Sequence, residues 1–179
     1  SEPQRWMVVP QRQIGEETAV LAQQAPKTWR YLMSHAELLD RRGSVIYRKR
    51  PRFSVFGIGG YSFSTWKIAV SGFYKSMQFV RLGPYRNKPI VLDDTGYVLA
   101  CQTEEEAIFL YEMLTSVPAR EFYSSLTFWD AKRPITTDLL SSLSLDSLAR
   151  CLEREEEFNQ FASRNDWATQ RTSQATLFS

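Results

Sequence analysis

Apolar and polar positions along the chain change their period twice. In "PKTWRYLMSHAELLDRR" (26–42), Trp29, Leu32, Met33, Ala36 and Leu39 recur at helical spacing behind Pro26, a residue suited to a first helical turn. That spacing predicts a helix. "GEETAVLAQQ" (15–24) predicts a shorter one, and "RWMVV" (5–9) a short strand. After Gly43 the pattern becomes that of strands: "RFSVFG" (52–57), "WKIAVSG" (66–72), "MQFVRLG" (77–83), "KPIVLD" (88–93) and "GYVLAC" (96–101). Gly, Pro and Asn separate these runs, and "DDTG" (93–96) forms a tight turn between the last two. Helical spacing returns in "TEEEAIFLYEMLTS". Thr103 and Glu106 form a capping box there, and Ala107, Leu110, Tyr111 and Leu114 line one face. "AREFYSSLTFW" (119–129) predicts a short helix and a short strand. Residues 132–164 predict two short helices, capped near Thr136 or Thr137 and near Ser144, and residues 165–179 a flexible tail.

This order predicts an α+β fold: an antiparallel or mixed sheet meander flanked by an N-terminal helix and C-terminal helices. The expected division is a lead-in over 1–25, one domain over 26–152, and a helical extension with its tail over 153–179. Phe53, Phe56, Trp66, Ile68 and Val70, at strand period, are expected in the core.

Composition narrows the function. The 179 residues are 43% apolar and 23% charged, ordinary for a globular domain with a real core. No apolar run approaches the ~20 residues a membrane helix needs, so no membrane partner is expected. No secretory leader opens the chain, which points to a cytoplasmic protein. The first residue is Ser, which fits a piece of a longer protein. Cys101 and Cys151 sit in apolar patterns and read as buried, reduced thiols. With His35 the sole histidine, two cysteines cannot complete a Cys/His zinc cluster. His35 itself reads as a surface or hydrogen-bonded histidine.

Charge changes the picture most. The net charge is only +2, yet residues 41–92 carry eleven basic side chains and no Asp or Glu. The same stretch holds six of the eight glycines and several Tyr, Ser and Thr. Residues 93–179 carry fifteen acids against seven bases. A long basic stretch without acids suits a phosphate backbone. Candidate contacts are Arg48, Lys49, Arg50, Lys67, Lys75, Arg86, Lys88, Lys132 and Arg133. In "FGIGGYSFSTWKIAVSG" (56–72), a glycine-rich hairpin loop would present Tyr61, Ser62 and Ser64 to duplex DNA.

Other chemistries fit less well. The glycines follow Gly57, Gly59 and then Ser62, not G-x-G-x-x-G, and a strand pattern follows where a dinucleotide loop needs a helix N-terminus. A Walker loop lacks its Gly-Lys-Ser/Thr, and Ile58 stands where an S-adenosylmethionine loop has Gly. "DAK", Asp130 to Lys132, with Asp93 or Asp94, has the local spacing of a Mg²⁺ nuclease and stays as an alternative. "QATLF" resembles the peptide by which bacterial proteins dock on the DNA sliding clamp, through Gln174, Leu177 and Phe178.

Taken together, "TWRYLMSHAELLDRR", "FGIGGYSF", "WKIAVSG", "KPIVLDDTGYVLACQTEEEA" and "KRPIT", in this order, resemble the C-terminal DNA-specificity domain of the TaqI type over about Lys27 to Leu148. Such domains occur in adenine-specific DNA methyltransferases and in fused methyltransferase–restriction enzymes of bacteria and archaea. The resemblance implies recognition of double-stranded DNA as part of a restriction–modification enzyme. It also implies an upstream domain that binds S-adenosylmethionine and carries Asn/Asp-Pro-Pro-Tyr/Phe. No Pro-Pro occurs here; Asn87, Asn159 and Asn165 are followed by Lys, Gln and Asp. The chain is therefore expected to have no catalytic residues or cofactor of its own. The alternative in a different class is an interaction module that docks on a separate methyltransferase or nuclease subunit.

Overall fold

The capping box is the clearest link from sequence to element. In the computed structural model, which describes residues 5–164, the Thr103 hydroxyl accepts from the Glu106 amide. The Glu106 carboxylate accepts from the Gln102 amide. This starts an eleven-residue helix, Glu104–Leu114. Two backbone donors are satisfied at the point where the chain leaves a strand.

The chain divides into two compact units, Ser1–Phe63 and Ser64–Ser179. The first is helical. Short helices α1 (Leu21–Gln24), α2 (Pro26–Ser34), α3 (Ala36–Asp40) and α4 (Val45–Arg48) precede a 3-10 turn, Gly60–Phe63. Pro26 stands in the first turn of α2. The single helix expected over 26–42 is interrupted at His35, whose φ of −110° is non-helical. The exposed His35 ring, as expected, is hydrogen-bonded: its Nδ1 lies 2.9 Å from the Tyr31 carbonyl and 3.0 Å from the Ser34 hydroxyl. Leu32 and Phe53 are buried, and Trp29 meets Phe53 edge-on.

The second unit holds a three-stranded antiparallel sheet in the order β2–β1–β3. The strands are β1 (Trp66–Ser71), β2 (Val80–Leu82) and β3 (Gly96–Cys101). Ile68 pairs with Arg81 on one side and Leu99 on the other. The central strand is buried from Lys67 to Val70. That explains its continuous apolar run in place of strict alternation. Helices α5 (Glu104–Leu114), α6 (Val117–Leu126), α7 (Thr137–Ser141), α8 (Leu145–Cys151) and α9 (Glu155–Arg164) follow. Ile68, Val70, Leu99, Phe109, Leu110, Met113, Tyr123 and Leu148 form one core, to which α9 adds Phe158 and Phe161. Thr136 and Ser144 cap α7 and α8 with side-chain acceptors, as expected. The α+β class with an antiparallel sheet is the observed one.

Several expected elements differ. Residues 5–9 form no strand. Neither do 52–57: Phe53 sits at φ +69° and the segment turns, although its alternation mimics a strand. The strand over 77–83 shortens to three residues, and the apolar run 88–93 is a loop after an isolated bridge between Tyr85 and Lys88. Among the described residues no strand follows α6. Two helices were expected over 132–164 and three form; Glu153, at φ +57°, separates α8 from α9. Cys101 is buried but Cys151 is exposed, and both are free thiols. Phe56, expected in the core, is exposed. Among the described residues, no helix is long and apolar enough to cross a membrane.

Candidate nucleic-acid interface

The glycine-rich stretch closes on itself. Gly57 has φ +74°, a conformation that L side chains rarely adopt. The Tyr61 hydroxyl donates to the Gly57 carbonyl at 3.0 Å, and the Tyr61 ring lies against Gly59 so closely that a Cβ there would meet it at 2.6 Å. The Gly59 amide donates to the hydroxyl of Ser62, which is 3% exposed. This corrects the expected hairpin loop. With no strand over 52–57, there is no ribbon to project the loop, and Tyr61 and Ser62 serve the turn itself. Burial also raises the Tyr61 phenol above its ordinary pKa. Ser64 is partly exposed.

The basic side chains of the first unit fall into two groups. Arg52 is paired with Asp40, whose carboxylate is held below its ordinary pKa by the hydrogen bond from Arg52. Arg41 pairs with Glu37. Arg42 donates to the carbonyls of Leu39 and Ser54 and stacks on Tyr47 at 3.9 Å. By contrast, Arg48, Lys49 and Arg50 at the end of α4 are exposed and make no ion pair among the described residues. The slot beside Arg50, lined also by Gln11, Tyr47 and Ser54, has about 20 Å³. That is room for a water, not a nucleobase.

In the second unit, three of the expected cations serve the fold. Lys67 is 1% exposed and its ammonium donates to the Ile90 carbonyl at 2.7 Å. Desolvation lowers its pKa from 10.5 to about 8. Lys75 donates to the carbonyls of Trp129 and Ala131. Arg133 donates to the Asp94 carbonyl and stacks on Phe73 and Tyr97. Burial at 1% exposure takes Lys67 out of the expected contacts, whereas Lys75 stays exposed. The three sets of bonds share one cause: loops without regular structure leave carbonyls unpaired, and long basic side chains satisfy them. Arg86, Lys88 and Lys132 remain exposed.

The loop from β2 to β3 was missed as a distinct feature. The Tyr85 and Lys88 backbones exchange hydrogen bonds of 2.9 and 3.0 Å, and both residues between them, Arg86 and Asn87, have positive φ (50° and 59°). This is a two-residue hairpin turn of the I′ type. Its neck is fixed twice. The Trp66 ring lies on Gly83, where a Cβ would meet it at 2.4 Å, and Lys67 holds Ile90. Arg86 stacks on Tyr85 at 5.2 Å. The signal in the sequence was "YRNK" with Asn in second place, weakened by an Arg where Gly or Asn is usual.

For the nuclease alternative, Asp93 accepts from the amide and hydroxyl of Thr95. No group of three or more His, Cys, Asp or Glu able to hold a metal exists among the described residues. Gln174, Leu177 and Phe178, expected at a sliding clamp, lie outside the described residues.

The chain is 50% identical over 148 residues to the type II methyltransferase M.NspV of Nostoc sp. (strain ATCC 29411 / PCC 7524). The match covers 83% of this chain but 31% of the relative, so the chain spans about a third of that protein's length. No family model matches the chain, and no solved structure matches it.

Proposed function

We propose that this chain is the target-recognition part of an adenine-specific DNA methyltransferase of a restriction–modification system, with a domain of the TaqI type. The carrying observation is the 50% identity to a third of a type II methyltransferase. It is supported by exposed cations within and after the acid-free stretch, among them Arg48, Lys49 and Arg50 in the first unit and Arg86, Lys88 and Lys132 in the second. Phosphate contacts from these side chains set the position on the duplex, and base-edge contacts set the sequence. Catalysis and S-adenosylmethionine belong to a separate catalytic region, which takes the adenine out of the helix while this part holds the DNA. The working compartment is the cytoplasm.

The reading is tested by reversing two charges. Lys49→Glu with Arg50→Glu weakens binding to all duplex sequences alike, because phosphates carry no sequence. Unchanged binding would remove α4 from the footprint. An interaction module that docks on a methyltransferase subunit would instead co-purify with that subunit and bind no duplex alone.

A further inference from the structure

Resting on that function, we propose that Arg86, at the tip of the Tyr85–Lys88 turn, is a base-reading residue that recognises a guanine in the major groove. The first reason is the backbone. Both central positions of this turn require positive φ. Asn87 is a residue type that tolerates it; Arg86, at φ +50°, is not. Its guanidinium returns little to the fold: among the described residues it makes no ion pair and no hydrogen bond, only the stacking contact on Tyr85. A strained conformation with so small a structural return is found where a side chain is held for a partner.

The second reason is shape. Arg86, Asn87 and Lys88 are exposed at the tip of a tight turn closed by the single Tyr85–Lys88 bridge, and the major groove admits an element of that width. The segments on either side of the turn are tied to β1, through Trp66 on Gly83 and Lys67 on Ile90. Stacking on Tyr85 limits the guanidinium's freedom before it meets DNA. The third reason is charge: the turn lies in the stretch without acids, so no carboxylate of that stretch competes for Arg86. A guanidinium fork matches O6 and N7 of guanine, the commonest specific contact of an arginine.

The test uses the full chain and a randomised duplex library, sequencing the bound fraction for wild type, Arg86→Gly and Arg86→Lys. Glycine takes φ +50° without strain, so Arg86→Gly keeps the turn and its melting temperature. Lysine keeps the charge but loses the fork. Both variants lose about 5- to 150-fold of the preference for guanine at one position and keep the preferences elsewhere. Arg86→Lys keeps the salt dependence of wild type. Wild-type preferences in both variants would overturn the inference. So would a uniform loss of affinity with a salt slope shallower by about one, which marks a phosphate contact. A large fall in the melting temperature of Arg86→Gly would assign Arg86 to the fold. If wild type binds duplex without preference, only the reading head fails; if it binds no duplex, the proposed function fails with it.

Discussion

Lys67→Met isolates the cost of burying an ammonium in the central strand. In the native protein the Lys67 pKa falls from 10.5 to about 8 because burial disfavours the charged form. The sign follows from linkage. Below pH 8 the lysine is charged in both states, and the native state carries the full desolvation cost. Above pH 8 the native amine loses its proton while the unfolded one keeps it up to about 10.5, so native stability from this group rises with pH. The whole effect is roughly 3 kcal/mol, of which about 2 kcal/mol develops between pH 7 and 9.5. Cys101, pushed by burial up to about 12, and Tyr123, also raised, act in the opposite sense. Their contributions are present below their ordinary values and are lost as pH climbs. The difference between wild type and Lys67→Met at each pH removes them. At pH 7 methionine loses the bond to Ile90 but relieves the desolvation, so the two proteins should agree within about 1 kcal/mol. Urea denaturation at pH 7, 8.5 and 9.5 reads both numbers. A stability difference that stays flat from pH 7 to 9.5 would refute the buried-ammonium account.

Three further outcomes follow from local geometry. Gly59→Ala forces the Tyr61 ring off Gly59 and breaks its bond to Gly57, lowering stability by about 1–3 kcal/mol in thermal or chemical denaturation; an unchanged melting temperature would contradict the closed turn. Tyr123→Phe leaves the buried Leu140 carbonyl without its 3.0 Å donor and costs about 1–2 kcal/mol, with no change of denaturant slope. A thiol reagent titrates Cys151 quickly in the native protein and Cys101 only on unfolding; two fast thiols would contradict the burial of Cys101.

What was legible in the sequence has local causes. Thr103 with Glu106 marks a helix start whatever surrounds it, and "WKIAVS" and "GYVLAC" pair because each can fill both sides of a small sheet. The segment "RFSVFG" carries the same alternation but not the same fate. Phe53 is buried against Trp29 at positive φ, a tertiary demand that no period announces. The same limit applies to charge. Composition marks 41–92 as basic, yet only the carbonyls left open by loops decide that Lys67 and Lys75, like Arg133 beyond that stretch, bond to the backbone while Arg48, Lys49 and Arg50 make no such bond among the described residues. The tip at Arg86 was obscured because arginine is a poor residue for that turn, and this mismatch is what suggests its role.

The central claim is that the chain binds duplex DNA through its exposed cations. The most direct test is the affinity of the wild-type chain for a duplex across a salt series. With Arg86 on a base, and Arg48, Lys49, Arg50, Lys88 and Lys132 on phosphates, log affinity falls against log salt with a slope near −4.5. A slope near zero, or no duplex binding at low salt, would contradict it.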